Sequence, residues 1–562
     1  MPKSNQSENS SRTIEGNICD LEKERFFPGR IFIKNGKIFK IEKVSGKFKN
    51  YILPGFVDSH CHIESSFLSP PIYGALAISQ GTVSVVADCH EIANVLGEKG
   101  ISWMLKAAKL VPFKFFWALP SCVPATKFET TPNKIGPKEV KKLLRRKEFV
   151  ALGEMMNFPG IIHKDKEVLE KIEIAKQLKK PIDGHCPGLS GKDLKKYIRA
   201  GISTDHECTL LKEAKEKQKL GMIIQIREGS AAKNLKDLIG LDYTKCCLVT
   251  DDLEVKDLIK GHLNEVLKKA MKLGTPFFKA IKMVTKIPAQ HYRLNFGEIK
   301  VGKEANLVEV NNLKELRPKR VWIEGKLVFE NGEILYPIKT LNLETAIKVK
   351  PKSEKDFEIK INKARANVRV IEVIPNQILT QEKIFEMKAK NGLQPTHHPS
   401  PQKGRLLLES DLKRDILKII VVNRYGRKNV GLGFVKGFGL KRGALASSIS
   451  HDSHNLTCIG KNDKDMALAI NTLSKMGGFV FVSKNKILKV ELPLAGLMTN
   501  ESPQNLVKKI EILEKELKKA GCKLKNPLSQ ISFLALLVIP ELKISDRGLF
   551  NVKKFQFENL II

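Results

Sequence analysis

Eight short apolar runs, each closed by a polar residue, recur along the first half of this chain. They end at Asp58, Asp88, Ser121, Glu154, His185, His206, Arg227 and Asp251. Their cores read ILPGFV, VSVVA, FKFFWAL, FVAL, KPID, GIST, MIIQI and CCLV. Between most of them lie segments of helical pattern, at residues 137–147, 165–180, 190–200 and 211–220. Eight β–α units within about 200 residues predict a (β/α)8 barrel, whose chemistry sits at the C-terminal strand ends. The fourth to sixth strands are expected to be short and weak.

The first run carries the strongest local signal, in LPGFVDSHCHIESS. Residues i and i+2 share a face of a strand, so His60 and His62 point the same way. The later ends add Asp88-Cys89-His90-Glu91, Gly153-Glu154, Asp183-Gly184-His185, Asp205-His206-Glu207 and Asp251-Asp252. Taken singly, a buried histidine is more often a hydrogen-bonded core residue than a ligand. Repetition at successive strand ends instead reads as a metal site assembled from several strands. Two adjacent divalent cations need several imidazoles, a bridging carboxylate and an Asp that takes a proton from bound water. His60, His62, Glu154, His185, His206 and Asp251 supply them in barrel order. Glycines beside Glu154 and His185 leave room for close backbone approach.

The rest of the chain suggests further domains, as 562 residues exceed one ordinary core. Residues 30–34 and 37–41 flank Asn35-Gly36, which predicts a hairpin. A second β piece returns at 319–333. The expected organisation is a disordered tail at 1–14, a composite β domain from 15–52 plus 295–340, a barrel at 53–294, and a C-terminal α+β domain at 341–562. Within the last, strands are expected at 416–423, 429–437 and 479–482, and helices at 463–475 and 505–520.

Ten cysteines without a regular framework favour free thiols and a reducing, cytoplasmic compartment. Cys61, Cys89, Cys186 and Cys208 read as small packing residues. A thiolate-bearing zinc site is the alternative, but no CxxC pair supports it. No apolar run is long enough for a bilayer span, and no secretory core opens the chain. The net charge of +36 comes from lysines spread over the helices rather than from an Arg-rich reading surface. No nucleic-acid module is recognisable, so neither nucleic acid nor membrane is an expected partner.

At these residues the chain resembles the adenine deaminase family of the amidohydrolase superfamily. The strings that carry the likeness include PGFVDSHCHIESS, GTVSVVADCHEIANVLG, LPSCVPA, LGEMMNFPG, DGHCPGLSG, AGISTDHE and IREGSAAKNL. SHDSHNLTCIG, LPLAGLM and SFLALLVIPELKISDRG continue it to the end of the chain. The resemblance implies hydrolysis of adenine to hypoxanthine and ammonia with two divalent ions, Mn²⁺ or Fe²⁺, and a homodimer. A hydroxide bridging the ions would attack C6 of the purine. Asp251, Glu64 and Asp252 would move protons. His90 and Glu91, read as the end of the second strand, would hold the purine or a further ion. Arg227 and Glu228 after the seventh strand, and Ser121 after the third, are candidate base readers. The chain departs from the family pattern at Leu253-Glu254-Val255, Ile287 and Asn306.

The cluster Ser450-His451-Asp452-Ser453-His454-Asn455 stands apart. His451 and His454 read as metal ligands on a helix, as members of a capped turn, or as part of a turn closing the barrel mouth. Two other functions compete with the main one. One is an amidohydrolase acting on another nucleobase or cyclic amide. The other is a basic nucleic-acid-binding protein with a dead barrel, against which the retained ligand set argues.

Overall fold

The computed structural model describes residues 12–375, 377–391, 406–484 and 486–562. They form two compact units. The first comprises residues up to Cys89, Ser102–Cys122 and Ile135–Leu341; the second comprises His90–Ile101, Val123–Lys134 and Asn342–Ile562. Most of the expected tail lies outside the described residues. Arg12, Thr13 and Ile14 belong instead to strand Arg12–Asp20, which pairs antiparallel with Arg25–Lys34.

In the first unit the eight expected strands are present. Five of them, Phe56–Cys61, Thr82–Asp88, Lys114–Leu119, Phe149–Met155 and Ile182–Gly184, form one parallel sheet in that order. Thr204–Asp205, Ile223–Arg227 and Cys246–Val249 form a second parallel sheet. The Ser203 N–H donates to the Ile182 carbonyl at 2.9 Å, joining the fifth strand to the sixth. At the other seam the Asp251 N–H donates to the His60 carbonyl at 3.0 Å, and the His62 N–H to the Asp251 carbonyl at 3.3 Å. The two sheets thereby close into a barrel. Its strands are buried along nearly their whole length, which is why they read as continuous apolar runs.

One expectation changes. The fourth strand, Phe149–Met155, is a full strand of 7 residues rather than a short one. Its last three residues, Gly153, Glu154 and Met155, continue the pleat of the apolar run FVAL to the strand end. The fifth and sixth have 3 and 2 residues. The helices that follow are Pro137–Leu143, Lys166–Gln177, Gly191–Arg199 and Leu211–Lys219, each slightly shorter than its sequence pattern.

The two flanking β pieces share one eight-stranded sheet. Tyr51–Pro54 stitches them, pairing parallel with Arg12–Asp20 and antiparallel with Leu307–Val310. So the run ILPGFV is divided: its first half belongs to this sheet, and the barrel strand starts at Phe56. The Asn35-Gly36 hairpin forms with φ of 52° and 75°, the left-handed pair that a tight two-residue turn requires. Ile14, Ile18, Ile31, Ile33, Ile52 and Leu307 pack the core of this sheet.

The second unit holds another eight-stranded sheet, running from Thr380–Lys388 at one edge to Lys486–Glu491 at the other. Strands Ile416–Val422, Val430–Lys436 and Gly478–Ser483 and helices Asp463–Leu473 and Pro503–Lys519 lie within a few residues of expectation. Helix Asp463–Leu473 packs Met466, Ile470 and Leu473 against Ile420, Ala446 and Val480. No helix among the described residues is long and apolar enough to cross a membrane.

Candidate metal centre

The barrel strand ends bring six predicted ligands together. His60 and His62 close the first strand, and their rings lie 5.0 Å apart, nearly perpendicular. Glu154 comes from the fourth, His185 and His206 follow the fifth and sixth, and Asp251 follows the eighth. All but His185 are buried outright.

Glu154 is two-sided. Its Oε1 lies 3.4 Å from His62 Nε2, while its Oε2 lies 2.8 Å from His185 Nδ1 and 3.3 Å from His206 Nε2. Asp251 Oδ1 is 3.3 Å from both His60 Nε2 and His62 Nε2. The potential ligand atoms of His60, His62 and Asp251 all lie within 4.8 Å of one another, as do those of His60, Glu154 and His206. One carboxylate facing two groups of nitrogens is the arrangement that two neighbouring cations need.

The supporting contacts set which nitrogen faces the centre. His62 Nδ1–H donates to the Asp88 carbonyl at 3.2 Å, which leaves the Nε2 lone pair directed at Glu154 and Asp251. The Glu154 N–H donates to Asp88 Oδ2 at 3.2 Å. That carboxylate fits only because Gly153 has no side chain: a Cβ there would stand 2.0 Å from Asp88 Oδ2. A Cβ on Gly184 would likewise meet the Thr204 carbonyl at 2.2 Å. Behind the first strand, Asp58 Oδ2 accepts from the Thr250 hydroxyl at 2.5 Å. Asp251 itself has φ of 56°, a left-handed conformation that costs a non-glycine residue about 1 kcal/mol or more.

Burial pushes the Glu154 carboxyl up, but His185, His206 and His62 outweigh it and hold the group well below its ordinary range. Asp251 is held down in the same way, by His60 and His62 and then by the charges of His206 and Arg227. Burial opposes the charge of His185, yet Glu207 and Glu154 raise it to about 9. His60 Nε2 and His206 Nδ1 are buried without a well-aligned hydrogen bond among the described residues. Orphaned ring nitrogens among ionised carboxylates fit cation binding, and the nitrogen–oxygen donor set suits Mn²⁺, Fe²⁺ or Zn²⁺.

Glu64 is buried in the turn Ile63–Ser66, directly after His62. Asp252 Oδ1 accepts from the Ser65 hydroxyl at 2.5 Å. Ser121 spends its hydroxyl proton on the Glu154 carbonyl at 2.6 Å, so it braces that residue. Glu228 accepts from the Leu235 N–H on Oε1 and pairs with Lys269 through Oε2 at 2.5 Å. Arg227 is occupied too. Its guanidinium grips Glu207 with two nitrogens, reaches Asp251 Oδ2 at 3.2 Å, and donates to Asn234 Oδ1 at 2.9 Å. It anchors the carboxylates of Glu207 and Asp251. His90 and Glu91 do not end the second strand, which stops at Asp88; they open helix His90–Ala108, whose residues up to Ile101 belong to the second unit.

Glu207 was missed as a site residue by sequence reasoning. Its Oε1 lies 3.7 Å from His185 Nδ1 and 3.5 Å from His206 Nε2. Its place next to His206 was visible in Asp205-His206-Glu207, but nothing local distinguished it from an outward-facing acid. The cysteines are free and buried, as expected. Cys186 and Cys208 both donate to Asp205, a carboxylate also paired with buried Lys217 at 2.9 Å.

Comparison with known proteins agrees with this geometry. The amidohydrolase family matches residues 51–328, and the adenine deaminase C-terminal domain matches 377–556. A protein of Methanosphaera stadtmanae named adenine deaminase is 44% identical over 98% of this chain and 99% of its own. One of Methanothermobacter thermautotrophicus is 42% identical over 98% and 99%. One of Parabacteroides distasonis is 39% identical over 99% and 100%. A barrel with this ligand set, followed by that C-terminal domain and matched from end to end, makes the chain a member of the adenine deaminase family of amidohydrolases.

Proposed function

We propose that this protein hydrolyses adenine to hypoxanthine and ammonia. The observation that carries the reading is the two-sided Glu154, set among four histidines and Asp251 in a chain whose end-to-end relatives are named adenine deaminases. His60, His62, Glu154, His185, His206 and Asp251 would hold two divalent cations, Mn²⁺ or Fe²⁺. Such ions supply Lewis acidity that makes water a nucleophile at neutral pH.

Proton handling falls to the chain. Attack at C6 requires a group that takes the proton of water, and Asp251 is suited because its neighbours keep it ionised. Its Oδ1 faces the histidines while Oδ2 rests on Arg227, so the carboxylate is held in one orientation. The ring needs a proton at N1 and the departing amine needs another. Glu64 and Asp252, with Asp251, are the carboxyls we assign to that traffic. The role we assign is purine salvage, in a reducing, cytoplasmic compartment with which ten buried free thiols agree, and as a homodimer, which the family resemblance implies.

Ammonia release from adenine tests the reading. Chelation should abolish it and Mn²⁺ restore it. His185→Ala and Asp251→Asn should each lower turnover by roughly two to four orders of magnitude with the fold intact. Manganese-loaded protein that forms no hypoxanthine would sink the assignment.

A further inference from the structure

Two motifs that stand 360 residues apart in sequence meet inside the second unit. Glu91 opens helix His90–Ala108, and its carboxylate receives His451 on one oxygen and His454 on the other. Residues 451–453 form a turn, and 454–455 continue without helix. The Ser450 N–H donates to His454 Nδ1 at 3.3 Å, which places the ring proton on Nε2, directed at Glu91. The His451 ring stacks on Phe533 with centroids 4.5 Å apart. Both imidazoles are thus held to orient one buried carboxylate.

That carboxylate faces a third imidazole and a second acid. His90 Nε2 lies 3.6 Å from Glu91 Oε1 and 3.6 Å from Asp452 Oδ1. Donors bound to one cation at ordinary N and O distances stand roughly 3.0–3.6 Å from one another. Asp452 is 3% exposed, and its Oδ2 has no hydrogen-bond partner among the described residues. Arg424, the buried cation nearby, spends its guanidinium on the carbonyls of His454, Thr345, Ala346 and Ala495. Buried acid of this density calls for a compensating cation.

We propose that His90, Glu91 and Asp452 bind a further divalent transition-metal ion. Their imidazole nitrogen and two carboxylate oxygens are the first donors, with water in the open positions. His451 and His454 act one step out: they fix the Glu91 carboxylate, as partners of metal-bound groups do. The site goes beyond the deamination chemistry that the proposed function assigns to the ligand set of the barrel.

Crystals of the full chain, chelator-stripped and reloaded with MnCl₂, should give a manganese anomalous peak between His90 Nε2, Glu91 Oε1 and Asp452 Oδ1. Absence of a peak there, in crystals soaked with excess MnCl₂, overturns the proposal. In solution, Glu91→Gln with Asp452→Asn should lower bound manganese by about one equivalent, read by elemental analysis. His60→Ala with His62→Ala should keep that equivalent, and adding Glu91→Gln to this background should remove it. A Glu91→Gln/Asp452→Asn protein that binds as much manganese as wild type also overturns the proposal, as does a His60→Ala/His62→Ala protein that binds none.

Discussion

Arg227 Nη1 lies 3.2 Å from Asp251 Oδ2, and Glu207 holds that same nitrogen together with Nη2. The residue expected to contact a purine edge clamps the residue expected to accept a proton. Removing the clamp has a definite sign. After burial, which raises Asp251, its histidine and arginine neighbours lower it, and Arg227 is one of them. Arg227→Gln should therefore raise the Asp251 pKa and move the acid limb of kcat/KM to higher pH. A buried bond between charged groups contributes about 1.5–3 kcal/mol, so turnover at neutral pH should fall about 10- to 100-fold. An unmoved acid limb would refute the role.

Gly153→Ala tests the support of Glu154. The new methyl would stand 2.0 Å from Asp88 Oδ2 and displace the carboxylate that receives the Glu154 N–H. Loss of an outer partner costs metal affinity about 10- to 100-fold. The expected result is a weaker manganese dissociation constant in a protein with unchanged circular dichroism. Unchanged affinity would mean that Asp88 does not position Glu154.

Metal loading should depend on pH through His185. Burial disfavours its cation, but Glu207 and Glu154 lift the pKa to about 9 in the metal-free protein. Below that value a proton competes for the ring, so ligation releases it. Manganese affinity should rise between about pH 6 and pH 9, with proton uptake or release visible in calorimetry across buffers of different ionisation enthalpy. In His185→Ala the rise should be shallower.

Lys543 gives a stability prediction in the second unit. It is fully buried, donates to the carbonyls of Ile378 and Phe533, and burial lowers its pKa to about 7. The unfolded chain, with an ordinary lysine, binds the proton more tightly. Stability should therefore rise with pH from about 7 toward 10 and be flat below that window, as far as this group is concerned. Urea midpoints of wild type and Lys543→Met should diverge in slope across that range. Parallel curves would show that Lys543 is charged in the folded state.

Much of the first unit was determined by sequence alone. A barrel strand is buried on both faces, so its apolar run and polar end are written in consecutive residues. That is why His60, His62, Glu154, His185, His206 and Asp251 could be named from strand ends, and why Asn35-Gly36 identified its hairpin. Local pattern says less about which face a flanking acid takes. Glu207 beside His206 and Arg227 at its strand end became a clamp on Asp251 only through side-chain reach across three strands. Likewise the division of ILPGFV between two sheets followed from pairing with the distant strand Leu307–Val310. The meeting of Glu91 with His451 and His454 is the extreme case: loop closure over 360 residues leaves no periodicity in either segment. Periodicity records the burial of one element, whereas a contact between elements exists only once the chain has folded.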